Sequence, residues 1–177
     1  MSFLEIDFFQ FHARILKEAE LPQLTELCIA CTDFFQLVEQ QPGSKKTARE
    51  ILQERPSNLP ISHKIVWGFE KDFKLVGVVE ILRDYPHSGV WYVSLLLLSP
   101  ELRGNGYGKK LWEAIEQQIK KMGASEVKLI VQEQNPKARK FWERMGFSFE
   151  AEVIQVLPFG ENRVLRLHKL LSQPAAT

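Results

Sequence analysis

The sequence predicts an α/β protein built on one central sheet, and three observations carry that prediction. "VWYVSLLLL" (residues 90–98) and "EVKLIV" (126–131) are apolar, β-rich runs that read as strands buried on both faces. Each leads into an amphipathic helix that ends at a glycine, Gly123 or Gly146. Residues 64–83 and 147–171 each read as a β-hairpin.

Taken in order, a strand is expected near residues 8–16 and a helix at about 21–31. A turn or broken helix follows, then a Pro42-Gly43-Ser44 break and a short amphipathic helix at about 44–54. The first hairpin has strands at about 64–70 and 74–83 around Lys71-Asp72. Pro100 ends the strand at 90–98, because proline cannot supply the next ladder N–H. From Tyr107 onward Leu111, Trp112, Ile115, Ile119 and Met122 recur at helical spacing. After the strand at 126–131, Asn135 is placed to cap a helix. Pro136 fits its first turn, and Ala138, Phe141, Trp142 and Met145 form its apolar stripe. The last hairpin turns around Phe159-Gly160-Glu161-Asn162.

A chain of 177 residues, 45% of them hydrophobic, can bury one sizeable core, so a single domain over 1–177 is expected. No apolar run approaches the ~20 residues that cross a bilayer, and the N-terminus lacks both a basic start and a long apolar stretch. The expected setting is the cytoplasm, with no membrane partner. Cys28 and Cys31 lie at apolar positions of the first helix, and no second cysteine pair exists to complete a zinc site. They read as packing residues, and no metal is expected. Net charge is +1 but uneven: residues 101–146 carry ten Lys/Arg against six Asp/Glu, and residues 1–100 carry ten against thirteen. The basic half suits a ligand with several phosphates. With no basic tail and no lysine run interleaved with aromatics, nucleic acid is not an expected partner.

The loop between the strand at 90–98 and the next helix reads Arg103-Gly104-Asn105-Gly106-Tyr107-Gly108. A helix start exposes backbone N–H groups and a partial positive charge, and glycine lets an anion's oxygens approach them. The spacing rejects a Walker A loop, which needs four residues between its glycines and then Lys-Ser/Thr. It rejects a dinucleotide fingerprint as well, because position 109 is lysine and nearly a hundred residues precede the loop.

Arg-x-x-Gly-x-Gly after an apolar strand resembles the acetyl-CoA loop of the GCN-five-related N-acetyltransferase (GNAT) superfamily. "NPKARKFWERMGF" (135–147) is similar to that superfamily's second signature, with Asn135, Ala138, Phe141, Gly146 and Phe147 in place. The resemblance runs from about residue 8 to residue 171. It implies a mixed, mostly antiparallel sheet of six to seven strands, splayed between strands 4 and 5 and flanked by about four helices. It also implies acetyl-CoA as co-substrate, its pyrophosphate on Arg103, Gly104, Asn105, Gly106, Tyr107, Gly108 and Lys109, with Asn135 and Lys140 nearby. The pantetheine arm would lie in the splay, against backbone groups of Leu96 and Leu98.

The implied reaction moves an acetyl group to a primary amine of a small molecule or peptide by direct transfer in a ternary complex. It needs an unprotonated amine, a polarised thioester carbonyl and a proton for the departing thiolate. Many superfamily members place a tyrosine after the signature phenylalanine; here Trp142 stands there, and an indole N–H does not titrate. A thiol of pKa near ~8.5 can leave without full protonation, so transfer remains open. Glu80 interrupts "LVGVVEIL" and is the preferred base or amine contact, ahead of Asp84, Tyr85, His87 and Tyr92. Asp33, Phe34, Phe35 and Glu39 would rim the acceptor pocket. A homodimer is compatible with the resemblance. Two other classes stay open on these residues: a non-catalytic acyl-CoA-binding sensor or pseudoenzyme, and a domain that binds another phosphorylated ligand with the same loop.

Overall fold

The computed structural model describes residues 6–8, 11–157 and 160–171. Among them eight strands form one sheet: β1 Ile6–Phe8, β2 Phe11–Ile15, β3 Lys64–Lys71, β4 Lys74–Leu82, β5 Val90–Leu98, β6 Glu126–Gln132, β7 Ser148–Leu157 and β8 Gly160–Leu170. Their order across the sheet is β1-β2-β3-β4-β5-β6-β8-β7, antiparallel except for the parallel β5–β6 pair. Five helices flank it: α1 Leu21–Ala30, α2 Thr32–Glu39, α3 Lys45–Gln53, α4 Tyr107–Lys121 and α5 Pro136–Arg144. The expected first strand is β2 with a short β1 before it, so the strands expected to splay are β5 and β6. The segment read as a turn or broken helix is α2, whose buried Phe35 and Val38 give it an apolar face.

Local signals explain most boundaries. The Ser44 hydroxyl accepts the Thr47 amide at 3.2 Å and starts α3. The first hairpin turns one residue later than expected, with Lys71 paired to Lys74 and Asp72 and Phe73 both at positive φ. In the last hairpin Gly160, Glu161 and Asn162 belong to β8, with Leu157 paired to Gly160. Pro158 and Phe159, part of the expected turn region, lie outside the described residues.

The sheet buries its two faces differently. On one face α4 and α5 cover Trp91, Val93, Val127, Leu129 and Val131, with Trp112 and Trp142 between. On the other, Leu24, Phe35 and Ile51 of α1, α2 and α3 pack on Val66, Val78 and Leu97 of β3, β4 and β5. β4 is buried along nearly its whole length, whereas the burial on both faces expected for β6 is wrong, since β6 alternates buried and half-exposed residues. The helices of the second face reach β5 and stop, leaving that side of β6 uncovered. β5 departs from the expectation over its second half, where Ser94 is exposed and Leu95, Leu96 and Leu98 are only partly buried.

The reason is a splay. β5 and β6 pair from Val90↔Glu126 to Val93↔Leu129 and then part. At that point Glu80 of β4 faces Leu95 while Ile81 faces Val93, which leaves Ser94 as an extra residue in β5. Such a bulge bends its strand, and here the bend carries β5 away from β6.

Candidate active site

A cleft of about 380 Å³ fills the gap between the parted strands. Its floor is Val93 to Leu96 on β5 and Leu129 to Gln132 on β6. Its lining comes from both sheet faces. Asn135, Ala138 and Trp142 of α5 close it on one side; Phe34, Phe35, Val38 and Glu39 of α2 and Thr47, Glu50 and Ile51 of α3 close it on the other, with Glu54 and Glu80. The cleft is thus a passage through the sheet, apolar towards α5 and bearing four carboxylates towards α2 and α3.

The glycine loop stands at the α5 side. Gly104 and Gly106 have φ of +80° and +79°, and a Cβ on either would meet nothing within 4 Å. Glycine is needed there for the left-handed backbone, and the space above it is open to a ligand. Gly106 is the N-cap of α4 and no side chain caps that helix start, so its first amides face outward. Asn105, Lys109 and Lys140 are exposed around this region, with Lys109 3.8 Å from Glu113. Gly108 differs: a Cβ there would make only ordinary contacts, 3.4 Å from Phe141 and 3.7 Å from Leu98, so neither space nor backbone requires glycine at this position.

Two loop side chains point into the protein. Arg103 donates from Nε to the Leu98 carbonyl at 2.8 Å and from Nη1 to Asp33 at 2.5 Å. Partial burial pushes the Asp33 carboxyl up, and the Arg103 guanidinium outweighs it, holding that carboxyl below its usual range. Tyr107 packs edge-on to Phe11 at 5.4 Å, with the Lys71 ammonium 5.6 Å from its ring centre. What this loop offers a phosphate is therefore chiefly backbone N–H, while Arg103 ties the loop to β5 and α2.

Asn135 lines the cleft and caps α5, its Oδ1 accepting the Ala138 amide at 3.1 Å. Asn135→Ala is expected to destabilise the protein by about 1 kcal/mol, read from the denaturant midpoint at constant m. An unchanged midpoint would remove the cap from the account of α5.

Trp142 also has two surroundings. It is 7% exposed, lines the cleft, and packs edge-on to Trp112 at 4.9 Å and Phe147 at 5.1 Å. The ring holds α5 against α4 while one edge borders the passage.

On the wall facing α2 and α3 Glu80 is the deepest carboxylate. Its side chain is 13% exposed and paired with the ammonium of Lys64, whose side chain is 1% exposed. Burial raises the Glu80 carboxyl above its ordinary range, Lys64 pulls it back, and Glu54 adds to the rise. Burial likewise raises Glu39, with Glu50 and Glu54 adding to it and Lys46 opposing. Phe34 and Phe35 lie edge-to-face at 5.2 Å on the same wall.

The other expected acceptor residues lie elsewhere. Asp33 is turned to Arg103, and neither it nor Asp84, Tyr85, His87 or Tyr92 is on the cleft wall. Asp84 accepts the Gly89 amide at 2.8 Å and closes its own turn. Tyr85 stacks edge-on to Tyr92, whose hydroxyl burial pushes up to about 12. Sequence reading missed Lys64, Ser94, Glu50, Glu54, Gln132 and Gln155. Two signals were present: Ser94 is the one polar residue in 90–98, and Glu50 and Glu54 share a helical spacing with Thr47 and Ile51. Away from the cleft, Glu126, Glu150 and His168 could gather round a metal ion. The Lys128 ammonium already stands among them, 2.5 Å from Glu150 and 3.6 Å from Glu126.

Comparison with known proteins agrees with this geometry. A family model described as the acetyltransferase (GNAT) family matches residues 29–147. N-alpha-acetyltransferase 30 of Schizosaccharomyces pombe (strain 972 / ATCC 24843) is 38% identical over 77 residues, 42% of this chain and 51% of that protein. The chain thus spans about half the length of the curated relative it matches. Among solved structures, an acetyl transferase of Salmonella typhimurium that modifies the N-terminal serine of a 50S ribosomal subunit protein superposes with a TM-score of 0.77 at 15% identity, covering 93% of this chain and 96% of that one. Spermidine N-acetyltransferase of Vibrio cholerae, solved with CoA and spermine, gives 0.72 at 20% identity, covering 93% and 97%. These two likenesses are of fold. The family match takes in both strands of the splay, the glycine loop and the second signature, and by it the chain belongs to the acetyltransferase (GNAT) family.

Proposed function

We propose that this chain is an acetyl-CoA-dependent N-acetyltransferase, a single domain over about residues 8–171 that acetylates a primary amine of a small molecule or peptide within a ternary complex. One observation carries the reading: the cleft between β5 and β6 is lined from both sheet faces, mostly apolar beside α5 and acidic beside α2 and α3. Two substrates entering from opposite faces would meet at the bulge.

The residues divide accordingly. Loop amides from Gly104 to Gly108 and the start of α4 hold the pyrophosphate. The edge of β5 beyond Val93 offers backbone groups to the pantetheine arm and to the thioester oxygen, save the Leu98 carbonyl, which accepts from Arg103. Glu39, Glu50, Glu54 and Glu80 attract an ammonium, and Glu80 takes its proton, directly or through one water, so that a free amine attacks. Trp142 shapes the passage and donates no proton to sulfur.

The last role gives a test. Trp142→Phe should keep turnover within about tenfold of wild type, well short of the ~10²-fold or more that loss of a general acid costs. Trp142→Tyr should turn over at least as fast as Trp142→Phe, since it adds a titratable hydroxyl. A loss beyond about 10²-fold in Trp142→Phe, with fold and coenzyme A affinity intact, would assign the indole a part in the chemistry.

The activity itself is tested by acetyl-CoA turnover over amino acids, polyamines, aminoglycosides and peptide N-termini, alongside thermal shifts with coenzyme A, ATP and NAD. Turnover with any amine supports the proposal. Stabilisation by coenzyme A with no turnover would favour a sensor, and preference for ATP or NAD would reassign the loop.

A further inference from the structure

Lys64 opens β3 beside the acidic wall, and its surroundings are unusual for a lysine. The ammonium is shut away from water, bonded to the Glu80 carboxylate and to the Glu54 carbonyl at 2.6 Å. Register explains the reach. Lys64 lies opposite Leu82 and Val66 opposite Glu80, so Lys64 and Glu80 are diagonal neighbours on the face packed against α3. The second bond runs to the residue just past the end of α3, where helix carbonyls lack partners and favour a cation. One buried cation therefore joins β3, β4 and α3 at the edge of the cleft.

We propose that Lys64 is the positioning residue for Glu80: held by the end of α3, it keeps that carboxylate ionised and fixed on the cleft wall, ready to take a proton from the incoming ammonium. The inference rests on the reading of Glu80 as base. Stated as a step, an N–H bond of R–NH3+ breaks and an O–H bond forms on Glu80; the lone pair left on nitrogen forms the C–N bond at the thioester carbonyl, and collapse of the tetrahedral adduct breaks the C–S bond. Glu80 passes its proton to solvent, and the second proton lost from nitrogen goes to the departing thiolate.

The charges near Glu80 make the counter-ion necessary. Glu54 and Glu50 face the cleft from α3 and Glu39 from α2, and Lys46, the basic residue 3.5 Å from Glu50, is 86% exposed. β6 and β7 contribute the uncharged Gln132 and Gln155, and β5 contributes Ser94. Burial and the Glu54 charge already push this carboxyl up, and without the Lys64 ammonium to pull it back it would be pushed higher and be less ionised. If Lys64 served only to pin α3 to the sheet, its loss would lower activity equally at every pH.

The experiment follows Glu80 by its side-chain 13C carboxyl shift, assigned with Glu80→Gln, through a pH titration of wild type, Lys64→Arg and Lys64→Met. The pH profile of kcat/KM is measured in parallel with acetyl-CoA and the best amine of the panel. In Lys64→Met the Glu80 midpoint and the acidic limb should move up together by about 1–3 pH units, with activity recovering in alkali. Lys64→Arg should return both towards wild type. A midpoint unmoved in Lys64→Met would overturn the proposal, as would activity lost evenly across the pH range, or a wild-type Glu80 still protonated at neutral pH. Should Lys64→Met fail to fold, Lys64→Gln keeps a donor without the charge and carries the same measurement, and the wild-type titration decides if both fail. Because the carboxyl titration needs no turnover, an absence of acetyl transfer would remove the enzymatic reading while the hold of Lys64 on Glu80 was still decided.

Discussion

Glu80→Gln is expected to lower kcat/KM about 10²-fold, ~2.7 kcal/mol, with little change in coenzyme A affinity. Glutamine keeps the shape and an oxygen that can accept from Lys64, so the main loss is the charge and the basic oxygen. The pH dependence follows from the direction of the shift. Burial raises the Glu80 carboxyl, so the ionised, proton-accepting form appears at a higher pH than for a free glutamate. Activity should climb through that range in wild type, and the limb should vanish in Glu80→Gln. A rise in KM alone would make Glu80 an amine contact rather than a base. Stability must be followed in the same samples, because removing one partner of a buried pair strands the other, at ~3–5 kcal/mol in unfavourable cases. The double change Lys64→Met with Glu80→Gln removes both charges and separates that cost from the catalytic one. If kcat, KM and the profile all stay as in wild type, the base lies elsewhere on the wall, and Glu39, Glu50 and Glu54 come next ahead of Asp84, Tyr85 and His87, which do not line the cleft.

The two sides of this cleft differ in how far the sequence discloses them, and the reason is physical. The side proposed for coenzyme A depends on short-range geometry: glycine where φ must be positive, an asparagine that bonds an amide three residues on, and an apolar stripe at helical spacing. Each requirement is met within a few consecutive residues, so it can be read from them. The side proposed for the acceptor is assembled from Glu39, Glu50, Glu54, Lys64 and Glu80, which lie on four elements and meet only when α2 and α3 close over β3 and β4. In isolation Glu50 and Glu54 read as the solvated face of a helix and Lys64 as the edge of a hairpin. Asp33 and Asp84 stand off the cleft wall for the complementary reason. Both are acidic residues in promising loops, but Arg103 and the Gly89 amide engage them. The run at 90–98 predicts its strand to the residue, yet composition does not show that the far half faces a gap, because the bulge at Ser94 depends on the register with β4.

Gly106→Val should weaken coenzyme A binding by about 10²-fold or more, ~2.7 kcal/mol, while the protein stays folded. Two effects add at this position and can be separated. The first is backbone strain: φ is +79°, where a β-branched residue costs roughly 1–3 kcal/mol. The second is occupation of the open space above the helix start, where no protein atom lies within 4 Å of an added Cβ and where a pyrophosphate would come close to the amides. Gly123, past the other end of α4, shares the first effect and lacks the second. Its φ is +99°, its Cβ would also meet nothing within 4 Å, and it adjoins the carbonyl end of the helix rather than the amide end. Gly123→Val should therefore lose comparable stability and bind coenzyme A like wild type. Calorimetry on the two variants, with denaturation of each, isolates the ligand effect from the strain. Binding by Gly106→Val within about threefold of wild type, under ~1 kcal/mol, would mean that this loop does not hold the pyrophosphate. Equal losses in both variants would mean that what coenzyme A needs is an intact α4, not open access to its first amides.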